Sequence, residues 1–222
     1  MPPLEGVLRQ TTHASVLETL RKAILSGDLP SGTPLVQADL SVLLGVSKTP
    51  IREAIRDLAS EGLIDFDSYR SSVVHTPTLE EAREIYELRL TLEPLAIRKA
   101  AESVPETNLD LAGELIEQMK AIDDPGEWIE MNGRFHGLLS DKTKQPRLNG
   151  IIVGLRNASA IQVAWSLKAS PGQMARANQD HIEILEAYRA RDVDAAIALS
   201  RRHMLATLEA IEATEAGSES AA

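Results

Sequence analysis

Three histidines in the second part of the chain have the residue type and placement for metal chemistry. The sequence holds five, at positions 13, 75, 136, 181 and 203, and no cysteine. Without cysteine there is no disulfide framework, thiol nucleophile, thiolate zinc site or iron–sulfur cluster. Neutral imidazole is a ligand for zinc, nickel, iron or copper. His136 follows Asn132 by four residues, which puts both on one helix face with Trp128 and Leu139. His181 shares a face with Ile184, Leu185 and Tyr188, and His203 with Ala196, Leu199 and Ala206. All three rings are therefore expected to point inward. Buried together, they need many hydrogen-bond partners or one divalent cation. Three unrelated core histidines satisfy the same spacing, so both readings stand on the residues alone.

A second set has a different chemistry. Lys48, Arg52 and Arg56 recur at i, i+4 and i+8, stacking three cations along one helix face. Ile51, Ala54, Ile55 and Leu58 form the apolar face of the same helix. Such a helix suits a major groove flanked by phosphates. A solvated helix whose arginines pair with Glu53 and Asp57 suits the pattern as well.

The elements that must position these residues follow from periodicity and punctuation. Val16, Leu17, Leu20 and Ile24 predict a helix over 15–26, with Gly27 as a left-handed cap. A loop rich in Pro and Gly over 28–34 leads to a short helix over 38–44, with Leu40, Leu43 and Leu44 on its apolar side. After the Gly45-Val46 turn, Ser47 is placed to cap the next helix and Pro50 falls in its first turn. That helix ends at Gly62, and Ile64 and Phe66, then Val73 and Val74, predict a two-stranded hairpin. The whole is a winged helix-turn-helix over 1–77. Helical periodicity then fills 79–103, 107–122, 126–141, 145–168, 174–190 and 193–213, which predicts an antiparallel bundle of six helices over 78–213. Residues 214–222, small and polar, are expected to be a disordered tail. The fold class is mainly α.

Composition limits the alternatives. The chain has 222 residues, 43% hydrophobic, with net charge −10. That acidity lies mostly in the second part: residues 1–77 carry seven Lys and Arg against nine Asp and Glu, the rest sixteen against twenty-four. The first part is thus free to present a basic face. Only seven aromatic residues occur, which disfavours readers of single strands or RNA. Met1-Pro2-Pro3-Leu4-Glu5 has neither a basic nor an apolar leader pattern, and no apolar run approaches membrane length, so a cytoplasmic location without membrane contact is expected.

The run Leu40-Ser41-Val42-Leu43-Leu44-Gly45-Val46-Ser47-Lys48-Thr49-Pro50-Ile51-Arg52-Glu53-Ala54-Ile55, continuing to Glu61-Gly62-Leu63-Ile64, resembles the DNA-binding domain of the GntR family of bacterial transcription regulators. The resemblance implies that Lys48, Thr49 and Arg52 touch bases and phosphates, that Ser47 and Arg56 touch phosphates, and that a hairpin tip near Arg70 enters the minor groove. Lys48 stands where the family usually has arginine, Ala38 where some members have a phosphate-contacting arginine, and Ser71 where a wing glycine is common. The segments Glu87-Leu88-Arg89-Leu90-Thr91-Leu92-Glu93-Pro94 and Asn132-Gly133-Arg134-Phe135-His136, with His181 and His203 beyond them, resemble the all-helical effector domain of the FadR subfamily. Six helices resemble its shorter, VanR-like form. This resemblance implies a divalent metal ion, zinc or nickel first, held by Asn132, His136, His181 and His203, with a small carboxylate effector beside it. Arg89 matches an arginine that would face the carboxylate; its alternative is a salt bridge to Glu93 at i+4.

The expected function is a ligand-responsive regulator, not an enzyme. It would bind a pseudo-palindromic double-stranded DNA operator as a homodimer. Two other readings remain: a DNA-binding regulator with a structural or absent metal and no effector, and a helical-bundle metalloenzyme. The last lacks a carboxylate base at motif spacing.

Overall fold

The first helix, α1 (Thr12–Ser26), buries Val16, Leu20, Ile24 and Leu25, one stripe at helical spacing, and stops where Gly27 takes φ 81°. This description comes from a computed structural model, which describes residues 12–66, 71–140, 145–170 and 172–219. The chain divides into two units, Met1–His75 and Thr76–Ala222. In the first unit α1 is followed by α2 (Gln37–Leu44), α3 (Lys48–Ser60) and an antiparallel hairpin of β1 (Ile64–Phe66) and β2 (Ser72–Val74). Ile64 pairs with Val74 and Phe66 with Ser72.

Helix α2 differs from its expected face. Leu40 is buried, whereas Leu43 is 78% exposed. The inner stripe runs through Gln37, Leu40, Ser41 and Leu44 instead. Ser41 takes the inner place because its hydroxyl donates to the Val46 carbonyl at 2.6 Å, closing the turn in which Gly45 has φ 65°. Helix α3 buries Ile51, Ala54, Ile55 and Leu58, as its spacing requires. Arg21 of α1 reaches the end of α3 and donates to both Glu61 carboxylate oxygens, at 2.6 and 2.8 Å from Nη2. The hairpin is tied back to the loop before α2: Leu35 donates to the Ser72 carbonyl at 2.7 Å and Val74 to the Thr33 carbonyl at 2.9 Å. The segment 67–70 between the strands lies outside the described residues, and Arg70 with it.

The second unit contains α4 (Leu79–Ala100), α5 (Glu106–Met119), α6 (Pro125–Leu138), α7 (Pro146–Ala158), α8 (Ala160–Ala169), α9 (Gln173–Arg189) and α10 (Val193–Glu219). Seven helices among the described residues replace the expected six, and with the count of six goes its likeness to the shorter VanR-like form. The expected helix over 145–168 breaks at Ser159, which sits in a turn with φ −85° and ψ 0°. No glycine or proline marks the break. It is tertiary in origin: α7 packs on α4, while α8 packs on α6 and α10, and one straight rod cannot follow both. Helix α10 runs to Glu219, past the expected end at 213 and across Gly217 and Ser218, so the first six residues of the expected disordered tail are helical.

Pro94 lies inside α4 and has no N–H for the Leu90 carbonyl one turn earlier. Arg201 of α10 supplies the donor, its Nη1 3.1 Å from that oxygen. The main core gathers α5, α6 and α9 around Leu109, Ile116, Met119, Phe135 and Ile184. A second cluster, Ala82, Ile85, Tyr86, Met204 and Ile211, joins α4 to α10.

Candidate metal centre and nucleic-acid interface

Asp124 starts α6, its carboxylate accepting from the Glu127 N–H at 2.8 Å, and Pro125 occupies the first turn, where it costs no hydrogen bond. This start sets the phase that aims Asn132 and His136 inward. Helices α9 and α10 bring His181 and His203 to the same place. One ring nitrogen from each of His136, His181 and His203 lies within 4.8 Å of the others. The ring centroids of His181 and His203 are 4.8 Å apart, and those of His136 and His181 5.2 Å. The structure therefore brings together the histidines that spacing could only assign to three separate inner faces.

Burial makes this cluster chemically demanding. His181 is fully buried, and neither of its ring nitrogens has a hydrogen-bond partner; nor has the buried amide oxygen of Asn132. A neutral imidazole carries one donor and one acceptor, and leaving either unmade in the core costs about 1–3 kcal/mol. Stacking offers no substitute: Trp128 and Phe135 flank the His181 ring at 5.8 and 4.5 Å and supply no polar group to it. The Trp128 N–H donates instead to Asn178. Desolvation pushes His136 and His181 well below the usual histidine range, helped by the nearby Arg156 guanidinium and by the other imidazoles. They are therefore held neutral, the form that binds a cation. Three imidazole nitrogens are a donor set for a borderline divalent ion, and Asn132, one turn before His136 on α6 with its amide oxygen unpartnered, is the candidate fourth ligand.

Two residues that spacing did not single out complete the surroundings. Asp180, a carboxylate acceptor, lies 3.2 Å from His203 Nδ1, which favours the Nδ1–H tautomer and would leave Nε2 for an ion. Arg202 holds Asp180 from outside, at 2.8 Å. Arg156, on α7, has no periodic partner in the sequence to reveal it. It lines a pocket beside His136 together with Glu93, Ser140, Tyr188 and Ser200. The cavity is about 30 Å³, room for about two waters.

Arg89 is not among the residues lining this pocket. It is buried, its Nε donating to Glu93 at 2.9 Å and its guanidinium 4.7 Å from the centre of the Tyr86 ring. The i+4 salt bridge is thus what the structure shows for Arg89. Arg156 binds the same carboxylate from the pocket side, through Nη2 at 2.7 Å and Nε at 3.3 Å. Burial alone would raise the Glu93 pKa, but Arg156 and Arg89 outweigh it and hold it at about 2.

In the first unit Ser47, Lys48, Thr49, Arg52 and Arg56 are all exposed. Ser47 occupies the cap position of α3, yet its hydroxyl makes no capping bond and stays available. Pairing of the α3 arginines with Glu53 and Asp57 is not observed among the described residues. Asp57 lies 2.9 Å from His13, and Glu61 is taken by Arg21. Ala38, also exposed, opens onto solvent near the start of α2.

Residues 12–74 match the gntR family of bacterial regulatory proteins, and residues 84–206 match the FCD domain. The transcriptional repressor RspR of Escherichia coli K12 is 28% identical over 207 residues, covering 91% of this chain and 90% of that protein. An uncharacterized regulator, YdhC of Bacillus subtilis 168, is 31% identical over 137 residues; this chain spans 61% of its length and the match covers 60% of this chain. Among solved structures, a GntR family member from Pseudomonas syringae is 28% identical with a TM-score of 0.57, covering 94% of this chain and 88% of that one. McbR/YncC of Escherichia coli shares the fold, with a TM-score of 0.79 at 21% identity over 93% of this chain and all of the other. No helix among the described residues is long and apolar enough to cross a membrane.

Proposed function

Because the chain belongs to the GntR family of bacterial regulatory proteins and carries an FCD domain, we propose that it is a metal-dependent, ligand-gated repressor of transcription that binds its operator as a homodimer. That it is a DNA-binding transcription regulator and not an enzyme follows from the family itself. The observation that carries the finer reading is the fully buried His181 with both nitrogens unpartnered beside His136 and His203.

The residues that would hold the ion are His136, His181, His203 and the Asn132 amide. A bound divalent ion would offer an open position to an anionic oxygen. Asn132 is neutral, so the site is more positive by one charge than it would be with aspartate there, which favours a carboxylate effector. The pocket next to His136 is where such an effector would enter. Repression is the reading that the RspR relationship favours. The exposed row Lys48, Arg52 and Arg56, with Ser47 and Thr49 at the helix start, would enter the major groove, and a two-fold dimer calls for matched half-sites. A cytoplasmic location goes with this role.

Selection of genomic fragments by the purified protein at near-physiological salt tests the regulator. Recovery of a short inverted repeat beside one or a few genes is expected. Diffuse recovery from metal-loaded and metal-stripped protein alike would overturn sequence-specific binding. A zinc titration of the same protein is expected to saturate at one ion per chain, and a stoichiometry of zero would remove the metal.

A further inference from the structure

The pocket contains a cation and an anion already paired. Glu93 comes from α4 and is 4% exposed; Arg156 comes from α7. Both Glu93 oxygens are engaged, one shared by Arg89 and Arg156 and the other held by Arg156 alone. Arg89 is turned away onto Tyr86, whereas Arg156 lines the cavity with His136. Among the described residues the bonds of Arg156 go through Nε and Nη2, so its Nη1 edge has no protein acceptor. A guanidinium that lines a cavity beside the histidine cluster and has an unused edge is a ready carboxylate site.

We propose that Arg156 is the residue that reads the carboxylate of the effector, and that Glu93 is a resident carboxylate with which the effector must compete. This rests on the proposed effector reading and adds to it the specificity-determining residue and its counter-ion. The argument is one of donors and charge. Arg89 and Arg156 carry two positive charges against the single charge of Glu93, so the pocket is one anion short before any metal binds. An incoming carboxylate supplies that charge and takes hydrogen bonds that Arg156 now makes to Glu93. Arg89 keeps Glu93 paired when this happens, which lowers the cost of releasing Arg156. The exchange has a mechanical result. The Glu93–Arg156 pair joins α4 to α7, and α4 is the helix that begins four residues after the end of the winged-helix unit at His75. Loss of that tie is therefore felt first in the helix leading to the DNA-binding unit.

The test uses the full chain and acetate, the probe whose size suits the cavity, with binding read by calorimetry. Glu93→Gln is expected to bind acetate at least ~10-fold more tightly than wild type, because Arg156 is released, and Arg156→Gln at least ~10-fold more weakly, each step worth about 1.4 kcal/mol. Arg156→Lys, which keeps the charge without the planar fork, should fall between wild type and Arg156→Gln, and it guards against a variant that merely misfolds. Equal acetate affinity in wild type, Glu93→Gln and Arg156→Gln would overturn the proposal, as would binding by none of them. Zinc affinity is measured separately on the same proteins. Acetate effects that persist where no zinc binds would leave Arg156 as the anion reader and remove the metal from the proposed function instead.

Discussion

His181 is the residue at which the physical chemistry is sharpest: a buried ring with two polar atoms and no partner for either. Its neighbours sort into those that would hold the proposed ion and those that would orient them. Asp180 belongs to the second kind. Asp180→Asn removes the charge that steers His203, and zinc affinity is expected to fall about 10–100-fold in a competitive chelator titration while the fold remains. Asn132→Asp should act in the opposite direction, tightening zinc and weakening acetate; unchanged affinity for both would remove Asn132 from the ligand set. Glu93 gives a pH signature. Its pKa is about 2 in the folded chain against an ordinary 4.5, so the unfolded chain takes up its proton first as pH falls. The stability it contributes is complete above about 4.5 and lost progressively toward 2, at most about 3 kcal/mol in all. Thermal melts of wild type and Glu93→Gln should therefore converge as the pH is lowered through that window.

At the scale of elements, α3 and α4 each combine a stability problem with a functional face. Arg52→Ala should weaken operator binding by about 1–3 kcal/mol if it reads a base, and Arg56→Ala should lower the salt slope by about one if it meets a phosphate. In α4, Pro94 frees a carbonyl that Arg201 serves, so Arg201→Ala should destabilise the second unit by about 1 kcal/mol in a denaturant titration. The freed carbonyl can be read from the proline, but its donor cannot, since Arg201 lies 111 residues away. The same distinction runs through the chain. Helices α1 and α3 were legible because one apolar stripe at helical spacing decides their inner face. Helix α2 was misread at Leu43 because a serine hydroxyl took the inner position. The break at Ser159 was invisible because it answers to neighbouring helices rather than to local breakers. At the site, the three histidines could be placed on inner faces and the Arg89–Glu93 pair at i+4 was one of two readings open to Arg89, but the roles of Arg156 and Asp180 depend on which helices meet.

For the molecule as a whole, net charge −10 and the short basic row of α3 would leave operator affinity resting on a few phosphate contacts. It should drop steeply with salt, with a slope set by those contacts alone. Between His75 and the first residue of α4 the chain has only Thr76, Pro77 and Thr78. Proline limits one of them, and Thr78 is held by its own cap to Glu81 and by Gln162, whose amide donates to its carbonyl at 2.7 Å. Three residues reach at most about 10 Å even when straight. In the proposed dimer each DNA head would therefore be on a short leash, which would make the protein a ruler for its operator. Five extra base pairs between half-sites would add about 17 Å and turn one half-site by about half a helical turn relative to the other, and loss of binding by both heads at once is the expected result. Such an operator would tolerate a changed letter better than a changed length.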